Sequence, residues 1–69
     1  MLSNNELITV FIPTYNRLKF LKRAVDSVLS QSYQNFELII VDDCSQDKTV
    51  EYLKKLSSND KRIFFFSKY

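Results

Sequence analysis

Three short apolar runs constrain this chain more than anything else in it: residues 7–12 (LITVFI), 36–41 (FELIIV) and 63–66 (IFFF). Each is rich in β-branched or aromatic residues and reads as a strand. Between the first two, Leu18, Leu21, Val25, Val28 and Leu29 fall at i, i+3, i+7, i+10 and i+11, one face of an amphipathic helix, with Lys19, Lys22, Arg23 and Asp26 turned away. Between the last two, Val50, Leu53 and Leu56 recur every third residue and predict a second helix over residues 48–56. Strands alternating with helices predict a parallel sheet, because parallel strands need a crossover connection rather than a tight turn. Continuous apolar strands, as opposed to alternating ones, are expected when both faces of a sheet are covered. The fold class is therefore α/β: three parallel strands with two crossover helices in the order β-α-β-α-β.

Local signals set the expected ends of these elements. Pro13 is expected to stop the first strand, since proline cannot donate to a ladder. Asn16 is expected to cap the first helix near Arg17, and that helix to end near Gln31 and Ser32. Ser45, Gln46 and Asp47 supply cap candidates for the second helix, and residues 57–60 (SSND) read as a turn. Crossovers of this kind are right-handed in about 98% of cases. A sequential strand order then puts both helices on one face and leaves the other bare. A central first strand gives each face one helix. Either way Phe64, Phe65 and Phe66 lie where further chain should pack, so the 69 residues are expected to be the front of a single larger domain, or to self-associate through the exposed sheet surface.

Composition excludes several kinds of chemistry. A chain of 69 residues makes at most one small domain, yet 45% of it is hydrophobic, which sets it apart from disordered tails. The net charge of +2 comes from interspersed acids and bases, with no basic stripe and aromatic interleaving of the kind that binds nucleic acid. Lys54, Lys55, Lys61 and Arg62 read as a solvated face. A single cysteine, Cys44, excludes an intrachain disulfide, and with no histidine there is neither a zinc site nor an imidazole base. The absence of glycine excludes the Walker loop and the glycine-rich dinucleotide fingerprint. The polar start and short apolar runs give no signal peptide or membrane span, so the expected setting is the cytoplasm, with the inner face of the membrane open to a larger parent protein.

The second strand run ends in two acids, Asp42 and Asp43. In open α/β sheets ligands bind just beyond the carboxyl ends of the strands. Paired carboxylates there either meet a ligand or metal, or open a polar loop and cap the next helix. At the end of the first strand stands a second loop, Pro13-Thr14-Tyr15-Asn16-Arg17.

These two loops, with Ser27-Val28-Leu29-Ser30-Gln31-Ser32-Tyr33 and Phe36-Glu37-Leu38-Ile39-Ile40-Val41-Asp42-Asp43-Cys44-Ser45 in that order, closely resemble the start of the family 2 glycosyltransferases. The likeness runs from about Leu7 to Phe66. It implies the nucleotide-sugar-binding half of a GT-A fold, Rossmann-like and partial in this chain. It further implies an inverting, nucleotide-diphospho-sugar-dependent enzyme with a carbohydrate or lipid-linked acceptor. By the same resemblance Tyr15 lays its ring on the nucleotide base, a sound platform for a planar partner. Pro13 and Thr14 edge the base and ribose. Asp43 accepts a hydrogen bond from the base N3–H; a carboxylate is an acceptor only, so it suits uracil or the guanine edge and repels the N1 of adenine. UDP is thus favoured, then GDP. Asp42 belongs to the same nucleotide-binding set, with a loop-orienting role the better fit, and Ser45 and Asp47 match loop and cap positions.

Two departures matter. Cys44 stands where the family usually has glycine, which limits backbone freedom and adds a thiol with no visible base beside it. And no Asp-x-Asp occurs in the chain. The family's divalent metal, Mg or Mn, would bridge the diphosphate through that motif, and a later acid would deprotonate the acceptor. The chain alone is therefore expected not to transfer sugar. Two alternatives remain: a truncated, non-enzymatic nucleotide-binding or interaction module with the same start, and a phosphoacceptor receiver domain. In receivers, however, the acid pair follows the first strand and the third ends in an acceptor aspartate, which Phe66-Ser67-Lys68-Tyr69 lacks.

Overall fold

The computed structural model describes residues 6–43 and 45–68. Its elements run β1 (Ile8–Thr14), α1 (Leu18–Ser30), β2 (Phe36–Asp43), α2 (Thr49–Asn59) and β3 (Ile63–Lys68). The three strands form one parallel sheet in the order β1-β2-β3. It is the β-α-β-α-β arrangement of a partial, Rossmann-like GT-A fold. Of the two strand orders open to the sequence, the sequential one is realised.

Both helices therefore pack on the same face. The buried core joins Leu21 and Val25 of α1 and Leu53 of α2 to Phe36, Leu38 and Ile40 of β2 and Ile63 of β3. Alternation along the strands then decides everything else: even-numbered residues of β1 and β2 face the helices and odd-numbered ones face away. The far face carries Phe11, Ile39 and Phe64 in one register row and Pro13, Val41 and Phe66 in the next. Phe11 and Phe66 are about three-fifths exposed there, at 60% and 62%. Continuous apolar strands pointed to cover on both sides; within the described residues the cover is on one side only.

Several element ends differ from expectation, each for a local reason. Pro13 does not stop β1 but pairs in register with Val41. The Ile8 N–H donates to Asn35 O at 3.1 Å, so even-numbered amides of β1 point at β2 and odd-numbered ones at the open edge. Pro13 is odd, and the donor it lacks would have faced outward. Asp42 and Asp43 lie inside β2 rather than beyond it, in register with Ser67 and Lys68. Helix α2 runs on through the SSN of the expected turn, where Ser57 and Ser58 hydroxyls donate back to the carbonyls of Lys54 and Lys55 at 3.3 and 2.9 Å.

Arg62 is not part of a solvated face. Its guanidinium pairs with Asp60 at 2.8 Å, donates to Gln34 O and Oε1 at 3.1 and 3.0 Å, and lies 4.3 Å from the centroid of the Phe36 ring. It clamps the amino ends of β2 and β3, opposite the edge that carries Asp42 and Asp43. The hydrogen bond from Arg62 holds the Asp60 carboxyl below its usual range. No described helix is long and apolar enough to cross a membrane.

Candidate functional site

Parallel pairing gathers the carboxyl ends of all three strands along one edge. There Thr14, Asp42 and Ser67 form one register row on the helix face. Asp43 pairs with Lys68 on the far face. Tyr15 follows Thr14 directly and so stands beside the end of β2. The two acids, adjacent in sequence, point to opposite faces and live in different surroundings.

Asp42 is completely buried, and a buried carboxylate needs donors. It has them. The Ser45 hydroxyl donates to Oδ1, the Ser45 N–H reaches Oδ2 at 3.4 Å, and the Ser67 hydroxyl donates to Oδ2 at 3.0 Å. Asp43, by contrast, is exposed. Of the residues the sequence singled out, Thr14 is buried at the strand end, whereas Pro13 and Tyr15 are exposed. Tyr15, 55% exposed, lies where two shallow grooves meet. One groove runs past Arg17, Phe20 and Asp47. The other follows Pro13 and Thr14 along the open edge of β1. The Arg17 guanidinium sits 5.7 Å from the centroid of the exposed Phe20 ring beside them.

The two loops are bound to each other. Asn16 adopts a left-handed backbone, φ 47°, a conformation asparagine tolerates better than most residues. Its N–H donates to Ser45 Oγ at 2.8 Å, and its Oδ1 accepts the Gln46 N–H at 2.6 Å. Asn16 therefore does not cap α1, as its position suggested: Arg17 holds the cap position, with no side-chain cap bond. At α2 the cap position belongs to Lys48, but the side chain one residue earlier does the bonding. Asp47 Oδ1 accepts from the Thr49 N–H at 3.0 Å and from the Thr49 hydroxyl. That hydroxyl, with help from the Thr49 and Leu18 amides, holds the Asp47 carboxyl below its usual range.

The Ser67 contact and the linking role of Ser45 and Asn16 are geometry that the sequence did not reveal. Ser67 becomes a neighbour of Asp42 only once strand order and register are known. Cys44 lies outside the described residues. A resident divalent metal does not fit these carboxylates. Asp42 and Asp43 face opposite ways, the oxygens of Asp42 are taken by serines, and no group of three or more metal-ligating side chains gathers among the described residues.

An open parallel sheet with one helical layer, and paired loops at its carboxyl edge, defines an α/β domain of the Rossmann-like class. The chain belongs to glycosyl transferase family 2, whose model matches residues 9–68. It is 43% identical over 63 residues to an uncharacterized glycosyltransferase of Haemophilus influenzae, covering 91% of this chain and 25% of that protein. It is 46% identical over 66 residues to the Escherichia coli K12 protein named "Putative colanic acid biosynthesis glycosyl transferase WcaA", covering 93% and 23%. It is 44% identical over 57 residues to the Bacillus subtilis protein named "Putative teichuronic acid biosynthesis glycosyltransferase TuaG", covering 83% and 23%. The chain thus spans about a quarter of the length of these relatives.

Proposed function

We propose that this chain is the nucleotide-recognising segment of an inverting glycosyltransferase that uses a nucleotide-diphospho-sugar, with UDP favoured over GDP. One observation carries the reading: exposed Tyr15 and exposed Asp43 end neighbouring parallel strands, at the edge where such sheets bind ligands. Tyr15 offers a face for the base, and Asp43 accepts the imide N–H. Pro13 and Thr14 shape the edge of the base and ribose pocket. Asp42, being buried, serves the site through the loop it holds.

The sugar acceptor in the whole protein is a carbohydrate or a lipid-linked saccharide, a reading supported by the two relatives named for polysaccharide biosynthesis. The cytoplasm, or the inner face of the membrane, is the setting proposed for it. The divalent metal and the base that activates the acceptor belong to residues outside these 69, so the chain alone binds nucleotide without transferring sugar. The sheet's far face is covered by the rest of the same domain.

Titration of the isotopically labelled chain with UDP, GDP and ADP, followed by amide NMR, tests this. UDP is expected to shift the Tyr15 and Asp43 amides, GDP to do so more weakly, and ADP to leave them in place. Tyr15→Ala is expected to weaken UDP by about 1–3 kcal/mol, the usual value of base stacking on an aromatic ring. Equal responses to UDP and ADP would remove the base-recognition reading.

A further inference from the structure

The hydrogen bonds around Asp42 form one continuous network, whose donors converge on its carboxylate from β3 and from the β2–α2 loop. Ser67 on β3 donates to Asp42 on β2 at 3.0 Å. Ser45 in the β2–α2 loop donates its only hydroxyl proton to the same carboxylate. That fixes the Ser45 oxygen as an acceptor, and the Asn16 N–H fills it at 2.8 Å. Asn16 then closes the circuit by accepting the Gln46 N–H at 2.6 Å. Asp42 and Ser67 lie on the helix face of the sheet, away from the far face that carries Asp43. Yet the network ties the residue after Tyr15 to the loop that follows Asp43.

We propose that Ser67, Asp42, Ser45 and Asn16 act together as positioning residues, a latch that fixes the spacing between Tyr15 and Asp43 and so sets which base the site accepts. The inference rests on the nucleotide reading above and deepens it. A ring that stacks and a carboxylate that accepts one N–H discriminate between bases only if their separation is held; an exposed side chain on the loop after β1 and another on the last residue of β2 would otherwise adapt to either a pyrimidine or a purine. Asn16 is the joint. Its left-handed φ turns the chain immediately after Tyr15, and its side chain and amide both bond the other loop. Ser67 extends the latch to the third strand, so the loop geometry depends on a residue that touches neither Tyr15 nor the base.

The test uses the labelled chain in two arms. In the first, UDP and GDP affinities are compared for wild type, N16A and N16D. Asp keeps an acceptor and tolerates the left-handed backbone, while Ala does neither. N16A is expected to weaken UDP about tenfold, as for one lost well-placed hydrogen bond, and to narrow the UDP:GDP ratio. N16D is expected to stay within about threefold of wild type on the same scale. Unchanged UDP affinity and ratio in N16A would overturn the proposal. The second arm needs no nucleotide: S67A should shift the Asn16 and Gln46 amides and speed their hydrogen exchange. Silence at both amides would also overturn it. If wild type binds no UDP, the base reading falls, and the second arm alone decides whether the latch exists. If N16A fails to fold, S67A carries the affinity test in its place.

Discussion

Asp42→Ala and Asp43→Ala should behave as opposites although the residues are adjacent. Asp42 is wholly buried and accepts from the Ser45 N–H, the Ser45 hydroxyl and the Ser67 hydroxyl. A hydrogen bond to a charged group contributes about 1.5–3 kcal/mol, and a buried donor left without a partner costs about 1–3 kcal/mol. Ser45 and Ser67 are half-buried, so water replaces part of what Asp42→Ala removes, and a net loss of about 2–4 kcal/mol follows. At about 0.05–0.15 kcal/mol per residue, a chain of 69 residues has only about 3–10 kcal/mol in all. Asp42→Ala therefore takes away a large part of the fold's stability. With a urea m-value of about 1 kcal/mol/M, the midpoint should fall by about 2–4 M. Asp43→Ala changes an exposed residue at the end of β2, outside the core, and should stay within about 0.5 kcal/mol. Its effect belongs to binding: loss of a charged acceptor should weaken UDP about 10- to 150-fold. Circular dichroism in urea and calorimetric UDP titration read the two quantities separately. Equal midpoints for the two variants, or full UDP affinity in a folded Asp43→Ala chain, would refute the division of roles.

Two further outcomes follow from the same structure. Asp60 and Asp47 both have folded-state pKa values below the unfolded one, through Arg62 and Thr49 respectively, so their contribution is fully present above the ordinary Asp value of about 3.9 and is lost as pH falls through the lower folded values. Urea midpoints should hold level from pH 7 to 5 and then decline, and Arg62→Gln should shallow that decline; an identical acid slope in Arg62→Gln would count against it. On the far face, Phe64→Ser with Phe66→Ser should reduce dye binding and concentration-dependent association of the isolated chain while moving the midpoint little, because these rings are 47% and 62% exposed. A wild-type chain that stays monomeric and binds no dye would show that the face needs no cover.

The order and type of all five elements were legible because apolar periodicity reports burial directly, and in this chain burial and local preference agree. The ends were less legible, since whether a polar residue or proline ends an element depends on what lies beside it. Pro13 stays in β1 because its missing donor faces an open edge. Asp42 stays in β2 because Ser67 stands across from it. The serines at 57 and 58 stay in α2 because they bond backward. The site divides in the same way. Tyr15 and Asp43 could be placed at neighbouring strand ends from two apolar runs, and the family resemblance supplied the roles proposed for them. Ser67 and Asn16 act through partners 25–30 residues distant, so the local signals at Asn16 and Ser45 suggested helix caps rather than a link between the loops. Arg62 is not the solvated residue its sequence context suggests, for the same reason: Phe36, at the start of β2, and Gln34, in the loop before it, lie far off in sequence.

The lack of glycine bears on how tightly such a site can be held. A sharp turn after a strand usually calls for a residue free to adopt positive φ, and glycine supplies that freedom at the cost of a loose backbone. Here the positive-φ residue among those described is Asn16. Asparagine reaches the same region, and in addition carries an acceptor that glycine lacks. The turn that presents Tyr15 is thereby tied at the same residue to the loop after Asp43, through the Gln46 N–H. Asn16→Gly would keep the backbone conformation and the N–H bond to Ser45, and remove the side-chain tie to Gln46. If the turn needed only conformational freedom, that substitution would be silent. If it needs the connection, the loop should loosen while the turn itself survives. Loss of protection at the Gln46 amide, with the Asn35-to-Ile8 ladder bond intact, would mark the second case.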